Sequence, residues 1–256
     1  MLRAALTLFT ILPARTEGKD VEDLSRHFHL IVLVGLLYGL MVWAIIYAGH
    51  ERLPSMLTAA LALAAVHLLN RFLHLDGLSD LGDGMVCGGD AERRMAAMKD
   101  SQTGAGGVGY VLVFSLLSFA ALSSASTLAL IGLPLMAEVT NKNAMVLCAS
   151  GGKAREGLGN MFVSHTGGRQ AMLSIALSLL LSAGAVLLLD LFLELMVWQE
   201  VVLVATVGVL VSSLVGLGMS LVAERNFGAV NGDVLGATNE ICRPLTMTAM
   251  LLVMTI

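Results

Sequence analysis

Charge is scarce in this chain. Only 13% of its 256 residues are Asp, Glu, Lys or Arg, where a soluble domain carries roughly a quarter. Hydrophobic residues make up 57% and the mean hydropathy is +0.84. One aqueous core cannot enclose so much apolar surface. That excludes an ordinary soluble domain and predicts a polytopic membrane protein. Cysteine is scarce too. Cys87, Cys148 and Cys242 lie far apart with no CxxC pair, which argues against a disulfide framework or a cysteine zinc site. A cleavable signal peptide is not expected, because the first apolar run is short and no small-residue cleavage site follows it. There is no internal repeat and no low-complexity tract. The net charge of -4 is modest; where the charges lie says more.

The apolar runs predict an all-α fold: one domain over 1–256, an integral membrane helical bundle with about seven transmembrane segments. Residues 1–13, MLRAALTLFTILP, are too few to cross a bilayer, which takes about 20 residues, and read as an interfacial or re-entrant helix. Spans are expected near 28–48, 55–75, 108–124, 128–149, 171–191 and 201–223. A last apolar segment at 244–256 is short for a span. Polar stretches separate them at 14–27, 76–106, 150–170 and 224–243. The tail 1–27 and the three loops after it hold twelve of the fifteen Lys and Arg residues; the opposite turns hold only Arg52, and Arg71 and Lys142 lie in spans. The positive-inside rule then places the N-terminus and all three long loops in the cytoplasm. Counting the spans gives the same sidedness, with the protein in the cell membrane.

The stretch NRFLHLDGLSDLGDGMVCGGDAERRMAAMKDSQTGAGGVG, residues 70–109, holds six of the nineteen acidic residues. Asp76, Asp80 and Asp83 stand at i, i+4 and i+7, on one face if the second helix continues. Like charges on one face repel, and near a membrane each costs about 2.5–3.5 kcal/mol on insertion scales. A divalent cation offsets both costs, and carboxylate oxygens suit Mg²⁺, which also binds substrate phosphates. The alternative is a solvated acidic loop between two helices. His74 reads as a ligand, a second donor behind the carboxylates, or an interfacial histidine. Arg93 and Lys99 lie in an amphipathic segment and could clamp phosphate; a membrane-facing basic helix explains the same residues. Gly104–Ala105–Gly106–Gly107 leads to a helix N-terminus, which favours anions.

The other polar stretches repeat this chemistry with Lys153, Arg155, Asn160 and Arg169. Asn231-Gly232-Asp233 reads as a tight turn carrying a carboxylate, and Glu240 follows seven residues later. Glu138, Asn141 and Lys142 are costly in lipid and therefore functional candidates. Pairing of Glu138 with Lys142 at i, i+4 is the plainer reading.

HLDGLSDLGDG (74–84) followed by ERRMAAMKDSQTGAGG (92–107) resembles the signature of the cobalamin synthase family, the adenosylcobinamide-GDP ribazoletransferases. REGLGNMF (155–162), GGRQ (167–170), NGDVLGATNE (231–240) and LFTILP (8–13) resemble further elements of that family, in the same order along the whole chain. Ile11 and the run T-N-K-N (140–143) depart from the pattern, which carries arginine at both places. The resemblance implies that adenosylcobinamide-GDP is joined to α-ribazole or its 5′-phosphate, with release of GMP. It implies Mg²⁺ as cofactor, held by Asp76, Asp80 and Asp83, with Asp100 or Asp233 completing the metal's shell or acting as base. His74, Arg93, Lys99, Lys142, Arg155, Asn160, Asn231 and Glu240 are the implied substrate-binding residues. The expected partners are these substrates and the lipid bilayer, with no nucleic acid; a homo-oligomer is left open. A CDP-alcohol phosphotransferase is the nearest alternative, but Leu78-Ser79-Asp80 follows Asp76-Gly77 where that pattern needs Ala-Arg. A cation transporter would place its carboxylates at mid-membrane.

Overall fold

The computed structural model describes residues 2–12, 17–125, 130–154, 158–193 and 196–255. The described residues are helical throughout, joined by short turns. In chain order the helices are α1 (Leu2–Phe9), α2 (Gly18–Arg26), α3 (Val32–Gly49), α4 (Ser55–Leu69), α5 (Leu73–Val86), α6 (Ala91–Met98) and α7 (Ala105–Ser124). They are followed by α8 (Leu133–Gly151), α9 (Leu158–His165), α10 (Gly168–Leu193), α11 (Trp198–Phe227) and α12 (Gly232–Thr255). A 3₁₀ turn, Phe28–Ile31, leads into α3.

Among the described residues four segments are long and apolar enough to cross a membrane: Phe28–Gly49, α7, α10 and α11. The pair α4 and α5 makes a fifth if it is counted as one span, bent by 91°. Sequence reading expected about seven. The difference lies in α8 and α12, the central helices, which carry Glu138, Asn141, Lys142 and Asn143, and Glu240 and Arg243. Every residue from Leu133 to Ala149 is buried, so α8 meets other helices rather than lipid. The outer helices show the reverse pattern. On α11 the stripe Leu203, Leu210, Leu214, Leu217 and Leu221 faces outward, while Ala205, Gly208, Ser212, Gly216 and Ala223 face inward. Lipid is as apolar as leucine, so membrane helices associate through small residues that let backbones approach. Gly35 and Gly39 of α3 do this against α8: a Cβ there would lie 2.6 Å from the Glu138 carbonyl and 2.7 Å from that of Leu135.

The acidic stretch is helical where a loop was expected. The second span breaks at Asn70. Arg71 and Phe72 take left-handed backbone angles, φ 55° and 59°, and α5 leaves at 91° to α4. Asp76, Asp80 and Asp83 all lie on α5. The stretch 232–243 is likewise helix, because α12 runs unbroken from Gly232 through the short segment expected at 244–256. Glycine sets how α5 meets α12. A Cβ on Gly77 would stand 2.7 Å from the Asp233 carbonyl oxygen and 3.0 Å from its Cα. Backbone cannot yield as a side chain can, so Gly77→Val should cost about 1–3 kcal/mol of stability by overpacking. The loss shows as a lowered thermal midpoint in detergent, accompanied by loss of activity as Asp233 is displaced.

The charges of the two central helices pair across the bundle. Arg243 Nε donates to Glu138 Oε1 at 2.6 Å, and Arg243 Nη1 donates to Glu240 Oε2. Lys142 Nζ donates to Asn239 Oδ1 at 2.6 Å and lies over the Tyr38 ring. Asn239 Nδ2 donates to Glu240 Oε1 at 3.0 Å. The expected partnership of Glu138 with Lys142 along one helix is thus replaced by one with Arg243 on α12, because the two helices pack face to face and the guanidinium reaches both carboxylates. The N-terminal helix α1 is fastened to the same framework. Tyr38 Oη donates to the Phe9 carbonyl, Ile11 N to that of Leu69 at 2.7 Å, and Arg71 Nη2 to that of Thr7 at 2.9 Å.

Candidate active site

A cavity of about 480 Å³ opens where α1, α5, α9 and α12 converge. Its polar wall is made by Arg71, His74, Asp76, Lys99, Asn231 and Asp233. Three stretches distant in sequence therefore meet at one place, as expected from their shared side of the bundle.

Each side chain is placed by a local feature. Asn231 is the cap of α12: its Oδ1 accepts from Val234 N at 2.9 Å, satisfying one of the free amides of the first turn. The segment 231–233 is therefore a helix start rather than the tight turn expected. Asn231 Nδ2 donates to Asp233 Oδ2 at 3.0 Å and so orients that carboxylate. Asp83 accepts from Gly104 N at 2.7 Å and Gly107 N at 2.8 Å. It fills the anion-favouring N-terminus of α7 that the glycine-rich segment suggested as a phosphate seat. The protein's own carboxylate holds that position and ties α5 to α7.

Asp80 is half-buried. Burial, then the like charges of Asp233, Asp76 and Asp83, push its carboxyl up to about 7. Asp233 is raised as well, by burial and then by Asp76. Among the described residues neither Asp76 nor Asp80 forms an ion pair, and no three Asp, Glu, His or Cys side chains already converge as a ligand set. The arrangement is a group of repelling carboxylates with oxygen donors to spare. That suits a hard divalent cation that keeps several waters and is completed by substrate phosphates. A carboxyl raised in the folded state stabilises below its unfolded value, near 4, and that contribution is lost as pH rises through about 7. The Asp80 contribution to stability in EDTA should therefore fall between pH 5 and pH 8. Mg²⁺ should raise the thermal midpoint more at pH 8 than at pH 5, because metal and proton compete.

The remaining sequence candidates are scattered. Asp100 is exposed, with its Oδ1 accepting from Gln102 N at 2.9 Å in a local turn. Arg93 is exposed on α6, and it is Arg94 that bonds the Met85 carbonyl at the end of α5, at 3.0 Å. Asn160 accepts from Ser164 on α9 at 2.9 Å, next to Gly159 of the cavity wall. Lys142 and Glu240 are buried in the interhelical network. His74 bridges network and cavity, with Nδ1 3.9 Å from Glu240 Oε1. Arg155 lies outside the described residues. Two wall features were not singled out from sequence. Arg71 was read as lying within a span, where an arginine is itself a functional signal. Phe9, Phe28 and Phe162 form the apolar wall, and two of them lie inside motifs that carry the family resemblance.

Residues 1–252 match the model of a family described as cobalamin-5-phosphate synthase. This chain belongs to the cobalamin synthase family. Relatives named adenosylcobinamide-GDP ribazoletransferase agree along nearly their whole length. That of Thermococcus kodakarensis is 33% identical over 253 residues, covering 98% of each chain. That of Methanocella arvoryzae is 32% identical over 252 residues, covering 94% of this chain and 91% of the relative. That of Prosthecochloris aestuarii is 32% identical over 256 residues, covering 99% and 98%. No solved structure matches the chain. In this chain the motif 74–84 lies within α5, and the motif 231–240 begins α12. The family signature and the cavity's carboxylate wall are therefore the same residues.

Proposed function

We propose that this member of the family joins adenosylcobinamide-GDP to α-ribazole or its 5′-phosphate and releases GMP, with its loops at the cytoplasmic membrane surface. The 5′-oxygen of the riboside bonds to the phosphorus next to the cobinamide, the bond from that phosphorus to the GMP oxygen breaks, and the 5′-hydroxyl proton is lost. The observation that carries the reading is the convergence of the two family motifs on one cavity, with Asp76 and Asp233 in its wall and Asp80 one turn of α5 beyond Asp76.

Asp76, Asp80 and Asp233 would hold Mg²⁺. When bound, that ion neutralises charge on the diphosphate and on departing GMP. Asp83, engaged by two backbone amides, fixes the helix that presents Asp76 and Asp80. Lys99 and Arg71 place positive charge on the cavity wall and draw in the anionic diphosphate. Asn231 holds Asp233 in orientation. The Lys and Arg bias of the loops supports the cytoplasmic sidedness, and both substrates are water-soluble molecules that reach the site from that face.

The test uses purified protein in detergent, with both substrates, in Mg²⁺ or EDTA. Stoichiometric GMP release and cobamide formation that require the metal support the reading. Absence of both products with active substrates present contradicts it.

A further inference from the structure

The 91° bend between α4 and α5 is made by two residues that carry side chains. Arg71 and Phe72 stand at φ 55° and 59°, a left-handed backbone that glycine adopts freely and other residues seldom do. Hydrogen bonds of the turn hold it there: Phe72 N donates to the His67 carbonyl at 2.8 Å, and Leu73 N to that of Asn70 at 3.1 Å. Packing of Phe72 does not, since that residue is 48% exposed. Residues kept in sparsely populated backbone regions cluster at active sites and ligand clamps. Arg71 fits that pattern, because it is part of the cavity wall.

The same arginine holds α1. Its Nη2 donates to the Thr7 carbonyl at 2.9 Å, in the last turn of α1, where carbonyls lack helical partners and a cation is favoured. Ile11 N, the amide that would serve Thr7 in a longer helix, donates to Leu69 instead. α1 is eight residues long, and isolated helices shorter than about 12–15 residues are marginal in water. It therefore depends on such ties. Leu8 and Phe9 of α1 are themselves cavity wall. A guanidinium presents several N–H donors in a planar fork, and among the described residues only Nη2 of Arg71 uses one. The others can take an anion. We propose that Arg71 is a latch: its guanidinium grips the end of α1 and the diphosphate of the donor at once, so that the bound donor fastens α1 against the cavity and keeps water from the phosphorus. This rests on the transferase reading above and extends it to how the site closes. With the latch gone, water takes the place of the riboside. Its oxygen bonds to the phosphorus next to the cobinamide, the bond to the GMP oxygen breaks, a water proton is lost to solvent, and adenosylcobinamide phosphate and GMP leave. Lys99, at the end of α6, also lines the wall, but among the described residues it makes no bond to α1.

The experiment follows hydrogen exchange of α1 by mass spectrometry in the full-length protein in detergent with Mg²⁺. Samples with and without saturating adenosylcobinamide-GDP are compared, in the absence of acceptor. The donor should slow exchange of the α1 amides by about tenfold, the scale of one charge-assisted hydrogen bond. That protection should persist in Lys99→Gln at saturating donor and vanish in Arg71→Gly. Glycine accepts the left-handed bend, so Arg71→Gly should keep its thermal midpoint. With both substrates present, Arg71→Gly should release at least about twice as much GMP as it makes cobamide, because an open site admits water; the unsubstituted protein should give the two in equal amounts. Weaker donor binding alone would not move that ratio. Exchange of α1 that is indifferent to the donor in the unsubstituted protein overturns the latch, whatever the variants do. An Arg71→Gly protein that keeps either the protection or equal release overturns it too. An unsubstituted protein that releases no GMP overturns the transferase reading instead, so the two failures are distinguishable.

Discussion

Asp80→Asn abolishes cobamide formation, by about 10²–10³-fold or more, and leaves the protein at least as stable in EDTA. The rate loss follows from removing one fixed electrostatic group at a centre where charge develops, for which deletions cost about that much. The stability outcome follows from the same residue seen without metal. Asp80 is a half-buried carboxylate facing three others, and its raised carboxyl records that ionising it is unfavourable in the folded protein. Asparagine keeps the shape and removes the charge. A residue present for packing alone would show the reverse pattern, an unstable variant with residual activity in proportion to the folded fraction. Turnover and thermal midpoint measured on one preparation separate the two. Sites of this kind hold strain that the ligand relieves, which is the usual form of the trade between activity and stability.

Arg243→Met lowers the thermal midpoint by an amount on the order of 10 °C. The arginine is fully buried and serves both Glu138 and Glu240. Removing it strands two carboxylates between helices, and breaking a buried pair from one side costs about 3–5 kcal/mol. For a chain of this size each kcal/mol shifts the midpoint by roughly 2–4 °C. The double variant Arg243→Met with Glu138→Gln should recover part of the loss, because one stranded charge is then gone. The exposed pair Arg26–Glu22 at 2.8 Å gives the contrast. Arg26→Ala should change the midpoint by little, as exposed pairs contribute about 0–1 kcal/mol. If Arg243→Met is as stable as the parent, the buried network does not hold α8 to α12.

Much of the site was legible because its chemistry is local in sequence. The spacing of Asp76, Asp80 and Asp83 put them on one helical face, and α5 is that helix. The membrane class was legible from the scarcity of charge. What was not legible depends on partners far apart in the chain. Asp83 accepts from the amides of Gly104 and Gly107, which lie more than twenty positions away, so its tie to α7 could not be read from its spacing to Asp76 and Asp80. Glu138 pairs across 105 positions with Arg243 rather than four positions along its own helix. Only four or five of the described segments are apolar enough to read as spans by length and composition, because α8 and α12 are enclosed by other helices and carry paired charges that lipid would reject. The bend at Arg71 and Phe72 had no glycine or proline to announce it, and it decides where α5 points.

Manganese binding followed by electron paramagnetic resonance tests the central claim, that α5 and α12 together hold a divalent cation. Purified protein in detergent, without substrates, is titrated with Mn²⁺ and the free-ion signal is recorded. The account predicts a saturable site that Mg²⁺ displaces, that weakens at least about tenfold in Asp80→Asn and in Asp233→Asn, and that is unchanged in Glu92→Gln, an exposed carboxylate on α6. Saturable binding that survives both aspartate substitutions would place the metal elsewhere and contradict the account.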